Sequence, residues 1–270
     1  MTGHAQGRVL IIAGSDSSGG AGIQADIKTV TTLGGYAASA VTAITAQNTL
    51  GVQAVEGLSP AMVGRQMTAV LEDIGADAVK TGMLYSTDII KAVADTLAGA
   101  GFTGHLVLDP VMVATSGDPL MAEGAVTAFR EKLIPRASLV TPNLAEASVI
   151  TGRPVDDLQA MREAAVAILE MGAAAVLVKG GHLKGDTLHD LLVDGKGEQL
   201  FTDQRIDSRH THGTGCTLAS AIACKLACGQ ELSEAVCEAR SYVRDAIRHA
   251  PGFGKGHGPL GHNWLPWGQS

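Results

Sequence analysis

The residues with the clearest chemical use occur together in one segment, His212-Gly-Thr-Gly-Cys216, ahead of a run of small apolar residues. Glycines let a backbone approach a ligand closely, and the apolar run predicts a buried helix. The free N–H groups and the dipole at a helix start bind anions such as phosphate. Gly213, Thr214 and Gly215 are therefore candidates for an anion hole. Cys216 falls in the first helical turn, where we expect the thiol pKa to be lowered. A plain glycine-rich helix start with a small buried cysteine is the alternative.

A second candidate group combines an amide with two carboxylates. Asn143 and Glu146 are three residues apart, which places them on one face of a helix. Glu146 and Asp109 could hold Mg²⁺ through water, because this ion keeps several waters and takes few direct carboxylates. A structural interpretation is equally open, with Asn143 as a helix N-cap and Glu146 as its capping-box partner. The spacing does not decide between them.

Gln47 is the third candidate, at the end of a predicted strand among small apolar residues. Its amide offers a donor and an acceptor side by side, which matches the edge of an aminopyrimidine as it matches adenine; a structural amide is the alternative. The remaining histidine and cysteine residues are interpreted as structural. His182, His210 and His212 lack metal-ligand spacing and are read as loop residues, while Cys224 and Cys228 are read as core residues.

Alternating apolar bursts and helical periodicity predict the elements that must position these residues, in a βαβ pattern. Strands are predicted at residues 9–13, 37–46, 78–80, 106–108, 139–140 and 174–178. Helices are predicted near 21–33, 60–75, 87–99, 121–133, 156–171, 214–228 and 231–249. Residues 188–193 and 198–201 predict an antiparallel hairpin with its turn at Asp194-Gly195. Apolar strands separated by helices indicate a mainly parallel sheet covered on both faces, whose ligands bind beyond the carboxyl ends of the strands.

Composition excludes several classes of protein. Of 270 residues, 46% are hydrophobic and 17% are charged, which excludes intrinsic disorder. The net charge of −7, without a long basic stripe, argues against nucleic acid or anionic membrane as a partner. No apolar run approaches the roughly 18 residues of a membrane span. The polar start and the four cysteines without a Cys-x-x-Cys pair indicate a reduced, cytoplasmic setting. No linker or repeat interrupts the chain, so we expect one domain over residues 1–270.

The standard nucleotide-binding motifs are absent from the sequence. The chain has no Gly-x-x-x-x-Gly-Lys-Ser/Thr, and no Gly-x-Gly-x-x-Gly follows the first strand. The glycine-rich loop at residues 14–22 lacks a Walker lysine. A dinucleotide oxidoreductase is therefore disfavoured.

Taken together, eight segments closely resemble the hydroxymethylpyrimidine/phosphomethylpyrimidine kinases of thiamine biosynthesis, in the ribokinase-like superfamily. The segments are residues 13–26, Thr45-Ala-Gln-Asn48, Lys80-Thr-Gly-Met-Leu84, Asp109-Pro-Val-Met112, Ser116-Gly-Asp118, Thr141-Pro-Asn-Leu-Ala-Glu146, Lys179-Gly-Gly-His182 and His212-Gly-Thr-Gly-Cys216. The resemblance covers residues 8 to 260. It implies an α/β fold of ribokinase type: a three-layer sandwich with a mainly parallel central sheet, helices on both faces and a small antiparallel edge.

The resemblance also implies an activity and roles for individual residues. Such enzymes transfer the γ-phosphoryl group of ATP, with Mg²⁺, to 4-amino-5-hydroxymethyl-2-methylpyrimidine and then phosphorylate the monophosphate again. By this analogy Gln47 binds the pyrimidine, Cys216 is the catalytic base, and the amides of residues 213–216 form the anion hole. Further roles are implied for the following residues: Gly14, Ala21, Met83 and Val111 in the pyrimidine slot, Asp109 and Glu146 at Mg²⁺, and Asn143 and Lys179 at the ATP phosphates.

Two alternatives and two accessory expectations accompany this reading. Pyridoxal also presents a hydroxymethyl group on a six-membered aza ring, so a pyridoxal kinase is the first alternative. A pyrimidine sensor without catalysis is the second, although Cys216, Glu146 and the glycine loop are all retained. The resemblance suggests a homodimer, and residues 201–212 are the candidate for a loop that closes over the substrate.

Overall fold

The computed structural model describes residues 6–112, 124–181, 183 and 185–264. Within them, nine strands form one sheet in the order β3-β2-β1-β4-β5-β6-β7-β8-β9. Their bounds are β1 Arg8–Asp16, β2 Tyr36–Asn48, β3 Gly51–Gly57, β4 Ala78–Thr81, β5 His105–Leu108, β6 Leu139–Val140, β7 Ala175–Lys179, β8 Thr187–Asp194 and β9 Gly197–Gln204.

The centre of the sheet is parallel and both of its ends are antiparallel. Strands β2, β1, β4, β5, β6 and β7 pair in parallel, whereas β3 runs antiparallel to β2 and the β8–β9 hairpin extends the other end. This confirms the expected α/β class with a mainly parallel central sheet. The sequence predicted one antiparallel edge, and β3 adds a second.

Helices cover the two faces of the sheet as two separate hydrophobic layers. Helices α1, α7 and α8 pack on one face, and α2 to α6 pack on the other. Their bounds are α1 Gly22–Thr32, α2 Pro60–Asp73, α3 Thr87–Gly99, α4 Ala125–Ala128, α5 Leu144–Thr151, α6 Leu158–Glu170, α7 Thr214–Ala227 and α8 Leu232–Arg248. Alternate residues of β1 face the two layers: Leu10 and Ile12 contact one, Val9 and Ile11 the other.

Several helices begin where the sequence places a cap. Ser59 accepts a hydrogen bond from the Met62 N–H ahead of α2, and Ser86 does the same for α3 from Ile89 N–H. Helix α5 was not among the predicted helices, although the capping-box interpretation of Asn143 anticipated its start. An eight-residue helix is too short for a clear periodic signal.

Two predicted elements differ in detail from the structure. The hairpin turn lies one residue later than predicted, because Asp194 pairs with Gly197 and leaves Gly195 and Lys196 as the loop. The predicted helix 121–133 begins in residues outside the described part. Its described portion is α4, followed by a π turn over Phe129–Leu133 and a 3₁₀ turn over Ile134–Arg136. The segment Ser116-Gly-Asp118 and residue His182 also lie outside the described residues.

Among the described residues, no helix combines the length and the apolar character needed to cross a bilayer. The longest of them, α8, has 17 residues and carries charged side chains along its length.

Candidate active site

A cavity of about 2000 Å³ opens along the carboxyl ends of the parallel strands and brings all the predicted site residues together. This is the position expected for a ligand site in an open α/β sheet. The lining includes Gly14, Ala21, Gln47, Met83, Asp109, Val111, Asn143, Glu146, Lys179, Gly213, Thr214, Gly215 and Cys216. The sequence therefore predicted their common location; their chemical roles depend on the local geometry.

The start of α7 provides the candidate anion hole. Gly213 is its N-cap, at a φ of 84°, and a Cβ there would lie 1.8 Å from Gly20 O, so only glycine fits this tight crossing. The N–H of Thr214 is directed at Thr211 O at 3.3 Å, and its hydroxyl donates to the same oxygen. Gly215 and Cys216 precede the first residue bonded within the helix, so their N–H groups are the ones that the helix leaves for a ligand.

Cys216 borders the cavity, but its thiol does not have the lowered pKa predicted from its position in the helix. The pKa of the thiol is raised to about 12, mainly by burial and also by the Asp26 and Asp109 charges. The Lys80 charge and a hydrogen bond from Gly22 N–H act in the opposite direction and are outweighed. The prediction was wrong because it considered only the helix terminus. The sulfur is removed from water and lies near two carboxylates, and both effects raise the thiol pKa. Together they outweigh the lowering effects of the helix start, the Lys80 cation and the Gly22 N–H.

Asp109, Glu146 and Lys179 form a charged cluster beside the anion hole. Lys179 Nζ lies 2.9 Å from Asp109 Oδ1 and 3.9 Å from Glu146 Oε2. A Cβ on Gly215 would lie 3.2 Å from the same Nζ, so the lysine reaches the first turn of α7. Burial acts to lower the pKa of Lys179, but the two carboxylates outweigh it and raise the pKa above its usual value. Lys179 is therefore a fixed cation next to the anion hole.

Asn143 and Glu146 also form a capping box, as the structural interpretation predicted. Asn143 Oδ1 accepts from Glu146 N–H at 2.9 Å, and Glu146 Oε2 accepts from Asn143 N–H at 2.7 Å. The two interpretations are compatible, because the cap itself lines the cavity. Asn143 Oδ1 is committed to the cap.

The residues present fit a hydrated divalent cation. Asp109 Oδ2 is buried and has no hydrogen-bond partner among the described residues. No group of three or more potential ligating side chains occurs in the described ranges, so the protein alone does not build a closed metal cage. Mg²⁺ needs only one or two carboxylates when substrate phosphates and water complete its octahedron. The pair Asp109 and Glu146 meets that requirement.

The opposite end of the site is a narrow slot. A Cβ on Gly14 would lie 2.3 Å from Met83 Cε, so the thioether covers the bare backbone of β1. Thr42 Oγ1 donates to the Met83 carbonyl at 2.6 Å and fixes that loop. Gln47 lies at the end of β2, where its backbone N–H donates to Ser17 Oγ at 2.8 Å. These contacts suit a flat, mostly apolar ring with one polar edge.

Sequence reasoning missed two groups of buried polar residues: one lines the cavity, and the charges of the other act on Cys216. His212 is buried against Asp16, with Nε2 and Oδ2 2.8 Å apart, and is not an ordinary loop residue. Lys80 is fully buried and donates to both carboxylate oxygens of Asp26, at 2.8 and 2.9 Å, and Ser220 Oγ of α7 donates to one of them. The position of His212 next to Gly213 was an available signal. The partners in each group are distant in sequence, so the sequence contains no signal for their pairing.

The cysteine interpretation is half right. Cys224 is buried in the α1–α7–α8 layer, as predicted. Cys228 is exposed at the end of α7, so its prediction as a core residue was wrong. Helical spacing placed it on the same face as Cys224, but the helix ends before that face is covered.

Fold and site together define a class of phosphotransferase, and solved structures agree. A pyridoxal kinase of Bacillus subtilis, determined as an ADP complex, superposes with a TM-score of 0.88 at 37% identity, covering 96% of this chain and 98% of that one. A phosphomethylpyrimidine kinase of Clostridium difficile superposes with a TM-score of 0.80 at 43% identity, covering 90% and 100% of the two chains.

Sequence comparison gives the family. The phosphomethylpyrimidine kinase family model matches residues 16–261. The hydroxymethylpyrimidine/phosphomethylpyrimidine kinase of Rhizobium meliloti is 53% identical over 96% of this chain and 97% of its own length. The thiamine biosynthesis bifunctional protein ThiED of Geobacter sulfurreducens is 51% identical over 95% of this chain, which spans 52% of that longer protein. This chain belongs to the phosphomethylpyrimidine kinase family.

Proposed function

We propose that this protein phosphorylates the hydroxymethyl group of 4-amino-5-hydroxymethyl-2-methylpyrimidine with ATP, and then phosphorylates the monophosphate to the diphosphate, in thiamine biosynthesis. The observation that carries the proposal is the single cavity that holds Gln47, Cys216, the α7 terminus and the Asp109–Glu146–Lys179 cluster. Family membership supports the same activity. We take the chain as one kinase domain, acting in the cytoplasm.

The first reaction needs an alcohol, an anion hole and a proton acceptor. The hydroxyl oxygen attacks the γ-phosphorus, and the bond from that phosphorus to the ADP oxygen breaks. The hydroxyl proton passes to the thiolate form of Cys216, which thereby becomes the neutral thiol. Charge on the transferring group is met by the N–H groups of Gly215 and Cys216 and by the Lys179 cation. Such transfers depend mainly on positioning and charge neutralisation. Mg²⁺ bound by Asp109 and Glu146 would neutralise phosphate charge.

The second reaction makes a smaller demand on Cys216. The nucleophile is then a phosphate oxygen, which is already largely ionised at neutral pH. No alcohol proton has to be removed, so the thiol has no essential proton to accept. The two phosphorylations thus separate the role of Cys216 as a base from its contribution to the shape of the site.

Cys216→Ser tests this division. We expect the first phosphorylation to slow by about 10²-fold or more, within the range for loss of a general base, and the second to change far less. Incubation with Mg·ATP and either the alcohol or its monophosphate, followed by mass spectrometry of the products, measures both steps. Equal rates for wild type and variant on the alcohol would remove Cys216 from the mechanism. Binding of the pyrimidine without any turnover by the wild type would instead indicate a sensor.

Pyridoxal is the second candidate substrate, because the Bacillus subtilis pyridoxal kinase shares this fold over almost the whole chain. Gln47 favours the pyrimidine, since its amide pairs with an amino group and an adjacent ring nitrogen. A coupled assay of ADP release with each substrate compares the two values of kcat/KM.

We also propose a homodimer. Apolar side chains are exposed near the antiparallel β2–β3 end of the sheet: Ile44 is 56% and Leu50 65% exposed. An edge strand with apolar neighbours is a surface that proteins commonly cover. A second copy of the chain would cover it.

A further inference from the structure

Three buried or half-buried side chains meet at the polar edge of the pyrimidine slot. His212 Nε2 lies 2.8 Å from Asp16 Oδ2 and 3.4 Å from the nitrogen of the Gln47 amide. Asp16 is held in place by the backbone N–H groups of Ser18 and Ala21, each donating at 2.8 Å. A Cβ on Gly20 would lie 2.5 Å from His212 Cδ2, so the loop after β1 packs directly on the imidazole ring.

The protonation of this group follows from its contacts. Burial acts to raise the pKa of Asp16, but hydrogen bonds from His212 and Ser18 outweigh it and hold the pKa below its usual value. Asp16 is therefore an ionised carboxylate, which only accepts hydrogen bonds. The proton in the 2.8 Å contact must then be carried by His212 Nε2, which acts as a donor.

The histidine in turn fixes the orientation of the Gln47 amide. Nε2 carries a single proton, which it gives mainly to Asp16 at 2.8 Å and shares with the amide at 3.4 Å as the weaker branch of a three-centre hydrogen bond. The amide oxygen accepts that share, whereas the NH₂ group would place one donor against another, so the oxygen is the atom that faces His212. The other end of the amide lies 3.2 Å from Thr45 Oγ1, whose own proton goes to Ser15 O at 3.0 Å. Thr45 Oγ1 can accept from the amide NH₂. Only this orientation makes both contacts donor–acceptor pairs.

We propose that His212 is a specificity-determining residue, which orients the Gln47 amide so that its acceptor lies on the His212 side and its donor on the Thr45 side. A 4-aminopyrimidine would then place its amino group toward His212 and its ring nitrogen toward Thr45. Pyridoxal carries an aldehyde beside its hydroxymethyl group, and an aldehyde only accepts. This inference rests on the proposed function and identifies the residue that selects an aminopyrimidine.

The test measures the coupling between His212 and the amino group of the ligand. Titration calorimetry without ATP compares 4-amino-5-hydroxymethyl-2-methylpyrimidine with the analogue that lacks the 4-amino group, in wild type and in His212→Met. In wild type, removal of the amino group should weaken binding by about tenfold or more, the effect of an unpaired buried polar group. In His212→Met the Gln47 amide is free to rotate, so removal of the amino group should weaken binding by less than about threefold.

His212→Gln is the matched control, because its side-chain nitrogen can donate to Asp16 and should restore much of the discrimination. A residue that only supports the fold would weaken both ligands equally, and that result would overturn the proposal. Equal discrimination by wild type and His212→Met would overturn it as well. If His212→Met fails to fold, as judged by circular dichroism, His212→Leu takes its place: leucine cannot donate to the amide, so the same loss of discrimination is expected, and its absence would overturn the proposal. Failure of wild type to bind either pyrimidine would count against the proposed function itself.

Discussion

Cys216 shows that the place of a residue in a helix does not set its acidity alone. Lys80 is a buried cation that lowers the thiol pKa, and Lys179 is a second cation close to the sulfur. Asp26 and Asp109 oppose them, and burial adds to their effect, so the pKa rises to about 12. The ligand-free protein thus holds a neutral thiol at neutral pH. Proton acceptance by this sulfur requires the thiolate. At pH values below the pKa, the thiolate fraction increases about tenfold for each unit by which the pH rises.

The reactivity of Cys216 toward iodoacetamide should follow that thiolate fraction. We expect its alkylation rate, read peptide by peptide in a mass spectrometer, to climb steadily from pH 7 to pH 10 without a plateau. Exposed Cys228 reports the behaviour of an accessible thiol in the same sample, and buried Cys224 reports any opening of the helix layer. A plateau for Cys216 by pH 8 would show that its thiol has the low pKa expected from the helix terminus.

At this scale the sequence predicts which residues meet but not their ionisation. Asp109 and Glu146 follow separate strands and Lys179 ends a third, and the common edge of a parallel sheet is sufficient to bring them together. The pairs Asp16–His212 and Asp26–Lys80 depend on strand order and on how the first loop packs against α7. Neither can be inferred from spacing, since the partners are far apart in the chain.

Among the elements, α7 carries the anion hole and is fastened by the C-terminal segment. His262 is buried, and its Nε2 lies 3.0 Å from Oγ1 of Thr217, the residue that follows Cys216 in α7. Tyr242 of α8 donates its hydroxyl to the His262 carbonyl at 2.6 Å. The residues around His262 therefore tie α7 and α8 together behind the anion hole. The sequence alone left the role of this tail open.

Acid should release this fastening. Burial and, to a smaller extent, the Lys28 charge lower the pKa of His262 from 6.5 to about 4. The unfolded chain binds a proton more readily than the folded one, so the stability contributed by the buried histidine is present above about pH 6.5 and declines as the pH falls toward 4. We expect protection against hydrogen exchange in residues 257–264, taken relative to the intrinsic exchange rate at each pH, to fall over this window in wild type.

His262→Gln provides the control for that experiment, because its amide can pair with Thr217 and does not titrate. Exchange in the same segment of the variant should vary little between pH 6.5 and 4 after correction for intrinsic exchange. If the variant and wild type lose protection in parallel, another group fastens the tail.

Elements with a buried, periodic face were the predictable ones. The predicted bounds of α3 agree with the structure at both ends, and those of α7 and α8 agree within about one residue. Strand β3 was missed because it lies at the end of the sheet and consists of exposed and half-buried residues without a regular alternation; Gln53 and Glu56 are among the exposed ones. An edge strand paired on one side has little apolar signal to reveal it.

For the whole molecule, the cavity has a cost in stability when it holds no ligand. Asp109 and Glu146 lie close together, and both are buried. The pKa of Glu146 is raised to about 7, mainly by burial and also by the Asp109 charge, which together outweigh the lowering effect of Lys179. The folded protein therefore retains a proton that the unfolded chain releases near pH 4.5. Functional sites commonly hold such groups in an environment that the rest of the fold must sustain.

The sign of the effect on global stability follows from linkage. Because the folded pKa of Glu146 lies above its unfolded value of 4.5, the free energy of unfolding falls as pH rises from about 4.5 to about 7. His262 acts in the opposite direction over part of this range, so the wild-type curve alone does not isolate Glu146. The difference between wild type and Glu146→Gln does, since the His262 contribution is common to both. Gln can still accept from Asn143 N–H and so preserve the cap.

Urea unfolding of the ligand-free protein between pH 4.5 and 8 measures that difference. We expect Glu146→Gln to gain stability relative to wild type as the pH rises, with most of the change complete by about pH 7.5, because only wild type develops a second buried negative charge beside Asp109. Glu170→Gln on the surface of α6 is a matched control and should produce a flat difference curve. A flat curve for Glu146→Gln as well would mean that Lys179 fully compensates Glu146, and that the cavity stores no electrostatic strain for a cation or phosphate to relieve.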